Sequence, residues 1–134
     1  DALSYFKKLK SNSIDVVVSS FTLHNLNRNY RNNLLNEIYR VLKSSGKFVN
    51  ADKYALNDKI KDKELFNKQI EKINSLLSKK PNLKNMLVIH EHQDIMSNYI
   101  MREKDYINQI SKVGFNSTKN IFRENRESII ISEK

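Results

Sequence analysis

Ile14-Asp15-Val16-Val17-Val18-Ser19-Ser20-Phe21-Thr22-Leu23-His24-Asn25-Leu26 is the stretch on which the reading of the fold turns. Residues 14 to 19 form a β-branched run of the kind that makes a strand buried on both faces, the mark of a parallel sheet. A polar turn from Asn25 to Asn29 follows, and its Asn side chains suit the first free amides of a helix. Tyr30, Leu34, Leu35, Ile38, Val41 and Leu42 then recur at helical spacing as one apolar stripe. Gly46 suits a left-handed stop after that helix. Lys47 to Ala51 reads as a second strand, and the right-handed crossover rule makes the two strands parallel.

Working outward, Leu56 to Ser78 is helical in pattern, with Phe66, Ile70, Ile73 and Leu77 on one side and many lysines on the other, until Pro81 ends it. Leu83 to Val88 predicts a further short helix, and His90 to Ser97 a polar connection. Glu103 to Val113 predicts a clearer helix, with Tyr106, Ile107 and Ile110 facing inward and Gly114 just past its end. Phe115 to Phe122 and Ser128 to Ser132, joined by Glu124-Asn125-Arg126, predict an antiparallel pair. The expected class is therefore α/β: a doubly wound, mostly parallel sheet that closes on an antiparallel C-terminal hairpin.

A chain of 134 residues has room for one domain. It opens on Asp1 in mid-pattern, so the expectation is a natural start upstream, with the N-terminal half of the domain missing and residues 1–134 as its C-terminal part. Lysine and arginine number 24 against 15 aspartate and glutamate, a net charge of +9. That excess attracts anionic partners, nucleic acid included. The lysines are dispersed, however, and a composition rich in Lys, Asn and Ile gives the same charge as mere background. A non-enzymatic basic module holding nucleic-acid phosphates on Lys59 to Lys80 is the alternative reading, and no recognition motif favours it. The absence of cysteine excludes disulfides, thiolate nucleophiles and cysteine-based zinc sites within this stretch. No apolar run approaches the roughly 18 residues that cross a bilayer, so a cytoplasmic protein with no membrane partner is expected. The oligomeric state is not legible.

In open α/β sheets, ligands bind beyond the carboxyl ends of the parallel strands. Those ends are Ser19 to Leu26 and Asp52 to Tyr54, which picks out Ser20, Phe21, Thr22, His24 and Asn25 as a mixed polar and aromatic rim. Each of these is also an ordinary turn or cap residue. His90, His92 and Asp94 alternate, and in an extended segment they would share one face as metal ligands do. Glu91 and Gln93 between them fit a solvated loop instead, so no metal is expected.

Taken together, residues 14–26, the helix Leu34-Leu35-Asn36-Glu37-Ile38-Tyr39-Arg40-Val41-Leu42-Lys43 and the strand opening Gly46-Lys47-Phe48-Val49 resemble class I S-adenosylmethionine-dependent methyltransferases. They match the fourth strand, following helix and fifth strand of that family, and Gly114-Phe115 with the closing hairpin resembles the end of the same domain. The resemblance implies a Rossmann-like methyltransferase fold, a seven-stranded sheet whose last strand is antiparallel, with S-adenosylmethionine along the carboxyl edge. It implies that Asp1 and Ala2 stand at the adenine, that Ser19, Ser20 and Phe21 run beside the cofactor, and that His24 faces the methyl acceptor as base or positioning residue. It also implies that residues 53–98 are a helical insertion, or lid, that selects the acceptor.

Two departures bear on this. The glycine-rich loop and the ribose-binding acid of the family are not among these residues, so weak cofactor binding and no activity are expected of this stretch alone. The family's Lys-Pro-Gly-Gly turn is Lys43-Ser44-Ser45-Gly46 here. Enzymes of the family that methylate exocyclic amines of nucleobases carry a Pro-Pro-aromatic turn where this chain has Ser20-Phe21-Thr22. A small-molecule acceptor is therefore expected rather than a base.

Overall fold

A computed structural model describes all 134 residues. The β-branched run forms β1 (Ile14–Ser20), the stripe forms α2 (Arg28–Val41), and β2 (Leu42–Lys53) follows; a short α1 (Ala2–Lys8) precedes them. Then come α3 (Lys59–Leu76), α4 (Pro81–Asp94), α5 (Glu103–Val113), β3 (Ser117–Glu124) and β4 (Glu127–Glu133). The sheet order is β1-β2-β4-β3, with β1 and β2 parallel and β4 antiparallel to both neighbours. Hence β1, β2 and β3 run one way and the last strand runs against them. This is the α/β, Rossmann-like arrangement with the antiparallel closing hairpin that the sequence predicts. No helix is long and apolar enough to cross a membrane.

One face of the sheet carries the core. Leu34, Leu35 and Ile38 of α2 and Tyr106 and Ile110 of α5 pack with Phe48 of β2 and Ile130 of β4, all essentially buried. Asn27 caps α2 by accepting the Tyr30 N–H at 2.9 Å, satisfying one of the free amides of its first turn. The stripe on α2 thus does what its spacing requires: it turns one side of the helix into sheet cover.

Several local expectations are corrected. β1 is parallel to β2 but lies at the edge of this sheet, not at its centre, and Val16 and Val18 are 52% and 69% exposed on the face that α2 and α5 do not cover. Gly46 is not the left-handed stop of α2; that conformation falls on Ser45, at φ 62°. Gly46 is required for space, because a Cβ there would lie 2.8 Å from the Lys43 carbonyl oxygen. Gly114, at φ 123°, does terminate α5 as expected. Pro81 does not merely end a helix: it opens α4, where its missing N–H costs nothing. The polar connection expected over His90 to Ser97 is largely helical, because α4 runs on to Asp94.

Candidate functional site

The carboxyl ends of β1 and β2 meet beneath α4. At the tip of β1 the backbone of Phe21 is forced to φ 45° while its N–H bonds the Ala51 carbonyl at 2.8 Å. A non-glycine residue there is held by its surroundings at a cost of about 1–3 kcal/mol. The chain then makes a 3-10 turn, Leu23–Asn25, whose residues Leu23 and His24 are buried. Asp52, at the end of β2, holds this turn. Its Oδ2 accepts the Leu23 N–H at 2.8 Å and its Oδ1 accepts the Lys53 N–H at 2.9 Å. The same Oδ1 pairs with His24 Nδ1. Alternation along β2 puts Phe48, Asn50 and Asp52 on the covered face, which is why this carboxylate ends up fully enclosed.

That arrangement fixes the imidazole of His24. An ionised carboxylate only accepts, so in the neutral ring Nδ1 carries the proton and Nε2 keeps the lone pair. Nε2 points toward α4, where Asp94 Oδ2 lies 3.9 Å away. His90 stands across the gap, its ring centroid 6.0 Å from that of His24 and nearly perpendicular to it. His90 and Asp94 are four residues apart on α4 and so share a face. His92 turns the other way, onto the ring of Phe66. The alternating trio anticipated from an extended segment is therefore not formed; helical spacing replaces His92 with His24.

Lys53 closes the site from the sheet side. Its Nζ lies 2.7 Å from Glu91 and 3.0 Å from Asp94, both on α4 and both buried. Burial works against the ammonium charge, but the Glu91 hydrogen bond and the two nearby carboxylates outweigh it and raise its pKa above the ordinary lysine value. Deeper in, Asn50 donates to the hydroxyl of Tyr54 at 2.6 Å, and Tyr54 packs edge-on against Tyr106. Burial pushes both phenols well above the usual range, so neither acts as a base near neutrality.

The remaining candidates are placed as follows. Ser19, Ser20 and Phe21 lie at the end of β1, with Phe21 edge-on to His24. The hydroxyl of Ser19 is buried and has no partner. Asp1 is the cap of α1: it accepts from the Ser4 N–H at 2.9 Å and from the Tyr30 hydroxyl at 2.8 Å, with Ala2 as the first helical residue. Asp52, Lys53, Glu91 and Asp94 carry the electrostatics of the site; the sequence set Asp52 and Lys53 at a strand end without naming a role, weighed Asp94 as a metal ligand, and left Glu91 in a solvated loop. Asp52 was within reach, since it stands at a strand end and at an inward position of the alternation.

The parallel β1–β2 pair followed by an antiparallel last strand shares the fold of solved class I methyltransferase structures. The comparisons agree: residues 2–50 match the family model described as a methyltransferase domain. None of the curated proteins matches in sequence. Among solved structures, PigF with SAH is 16% identical at a TM-score of 0.63, the match covering 100% of this chain and 33% of that one. A SAM-dependent methyltransferase from Archaeoglobus fulgidus is 13% identical at a TM-score of 0.60, covering 100% of this chain and 65% of that one. A putative O-methyltransferase from Nostoc punctiforme is 15% identical at 0.59, covering 96% and 34%. At these identities the likeness is one of fold, and the chain spans about a third to two thirds of the length of the structures it matches.

Proposed function

We propose that this chain forms the acceptor side of an S-adenosylmethionine-dependent methyltransferase that acts on a protic group, such as a hydroxyl, of a small molecule. The observation that carries the reading is the His24–Asp52 pair at the strand tip. Asp52 fixes the tautomer of His24, so that Nε2 is left to take a proton from the group that will be methylated. A phenol or alcohol is a far better nucleophile once that proton is gone. One of the similar structures is described as a putative O-methyltransferase, from Nostoc punctiforme, and another as an O-methyltransferase family protein, from Burkholderia thailandensis, which is in keeping with a hydroxyl acceptor.

The residues present fit the cofactor. The unpartnered, buried hydroxyl of Ser19 lies at the end of β1, where a polar group of a ligand would satisfy it. Ser19, Ser20 and Phe21 would hold the amino-acid portion, and Asp1 with Ala2 the adenine. When bound, the cofactor supplies a methyl group on a sulfonium that is already reactive, so orientation of the acceptor provides much of the acceleration. Asp94 and His90 flank the free nitrogen of His24. On this reading the insertion, residues 53–98, selects the acceptor. The glycine-rich loop and the ribose-binding acid are not among these residues, so this stretch alone is expected to bind the cofactor weakly and not to turn over.

The test is methyl transfer to a panel of hydroxyl-bearing small molecules, by the complete polypeptide that contains these residues. His24→Ala is expected to lower kcat by about 10²–10⁴-fold, with binding of S-adenosylhomocysteine unchanged. An unchanged kcat removes His24 from the chemistry.

A further inference from the structure

We infer that His24, His90 and Asp94 form a divalent metal site of the zinc type, bridging the strand tip to the insertion. The three offer donor atoms that all lie within 4.8 Å of one another, and His24 and Asp94 are buried. A zinc ion holds its ligands at about 2.0–2.2 Å, which puts donors about 3.3 Å apart. Closing from the observed spacing is a matter of side-chain adjustment.

What separates this cluster from a chance gathering of polar groups is the state of each imidazole. His24 is pinned at Nδ1 by Asp52, which leaves Nε2 as the unprotonated nitrogen, facing Asp94 at 3.9 Å. His90 is pinned at Nε2 by Asn25 Oδ1, at 2.8 Å. The orientation of that amide is itself fixed, since Asn25 Nδ2 donates to the Phe21 carbonyl at 3.1 Å. An amide oxygen only accepts, so the proton of His90 sits on Nε2, and Nδ1 faces Asp94 at 3.9 Å with its lone pair free. Both histidines are therefore oriented by an outer oxygen so that a bare nitrogen points at one carboxylate. Metal-binding histidines are held in this way. Two imidazoles and a carboxylate, with a further position open, suit zinc and its d-block neighbours and not calcium or magnesium.

The competing cation is Lys53, whose ammonium lies 3.0 Å from Asp94 Oδ2. It engages Oδ2, the same oxygen that faces both histidines, so an entering ion displaces it from Asp94, while its shorter contact, 2.7 Å to Glu91, keeps the ammonium nearby. Because His90 and Asp94 belong to α4 and His24 to the sheet edge, an ion here clamps the insertion down. It also takes the lone pair that the proposed methyl transfer needs, so occupancy by zinc silences His24 as a base.

The inference stands on geometry and does not depend on the methyl-transfer reading. Calorimetric titration of Zn²⁺ into the 134-residue chain is expected to give one equivalent. His90→Gln and Asp94→Asn are expected to lower the affinity at least about 10-fold, and Asn25→Ala, which touches no ion, about 10- to 100-fold. His92→Ala, on the opposite side of α4, is the control and is expected to bind as the wild type does. The His90 side chain is 43% exposed, so its replacement does not threaten the fold, and retention of helix by circular dichroism confirms this. Zn²⁺ affinity that is the same in wild type and His90→Gln overturns the site, as does a loss confined to His92→Ala. Cofactor binding and methyl transfer are measured separately. Failure of zinc binding thus leaves the proposed base untouched, and failure of methyl transfer by the zinc-free protein overturns only the proposed function.

Discussion

The unit β1-α2-β2 and the insertion α3-α4 are held by different physics. On α2 the buried side chains include Leu34, Leu35, Ile38 and Val41, an apolar stripe pressed onto Phe48 and its neighbours. The insertion buries few apolar groups, chiefly Phe66 and Ile73, and otherwise Asp62, Glu91 and Asp94. Each of those carboxylates reaches a cation outside the insertion helices. Asp62 lies 3.1 Å from Arg126 Nε and 3.5 Å from Arg102 Nη1, while Glu91 and Asp94 share Lys53. The first region is held by oil and the second by charge. Apolar burial is indifferent to partner geometry, whereas a buried carboxylate that loses its cation becomes a liability. The insertion is therefore expected to loosen before the sheet beneath it when one of these cations is lost.

Four measurements test that contrast. Asp62→Ala, which strands Arg126 and Arg102 under α3, is expected to cost about 3–5 kcal/mol. Hydrogen exchange should show the loss in α3 and α4 with β2 still protected; equal loss of protection in β2 would erase the distinction. Ile38→Ala is expected to cost about 2–5 kcal/mol and, by contrast, to lower the protection of β1, β2 and α5 together.

The Lys53 latch gives a pH signature. Its folded pKa lies above the ordinary lysine value, so its contribution is complete at every pH below that value and is lost only as pH rises through the elevated one. Limited proteolysis within α4 is therefore expected to be flat from pH 6 to pH 9 and to increase in stronger base. Increased cleavage near neutral pH would mean that Lys53 does not hold α4. The smallest effect is Asp15→Asn. The carboxylate of Asp15 is 78% exposed and 2.9 Å from Lys43, a surface pair, and chemical denaturation is expected to register less than about 1 kcal/mol.

The same division decided what could be read from the sequence. α2 and α5 were legible because their burial is largely apolar, and apolar residues announce their period; β1, β2 and the hairpin were legible from β-branched runs and turn residues, although β1 and β3 bury no residue. α1 went unread because it contains no buried residue, so no stripe marks it. The far end of α4 was taken for a loop because the groups it buries, Glu91 and Asp94, are charged, and hydropathy registers them as solvated. Pro81 carried two meanings, and only the helix after it chooses between them. Within the site, His24 was found from its place at a strand end. Asp52 was placed there without a role, since what it holds, the Leu23 amide and the His24 ring, comes together only across the sheet. His90 and Asp94 were weighed with His92 and set aside as a solvated loop for the same reason: the helical repeat that brings them beside His24, 66 residues earlier, was not visible.

The outer side of β1 presents a row of backbone amides and carbonyls with no strand against them, beside the exposed methyls of Val16 and Val18. Such an edge has neither a lysine gatekeeper nor a proline to blunt it, and a foreign strand can add to it in register. Left uncovered, this strand is a sticky template and is expected to promote association of the chain with itself.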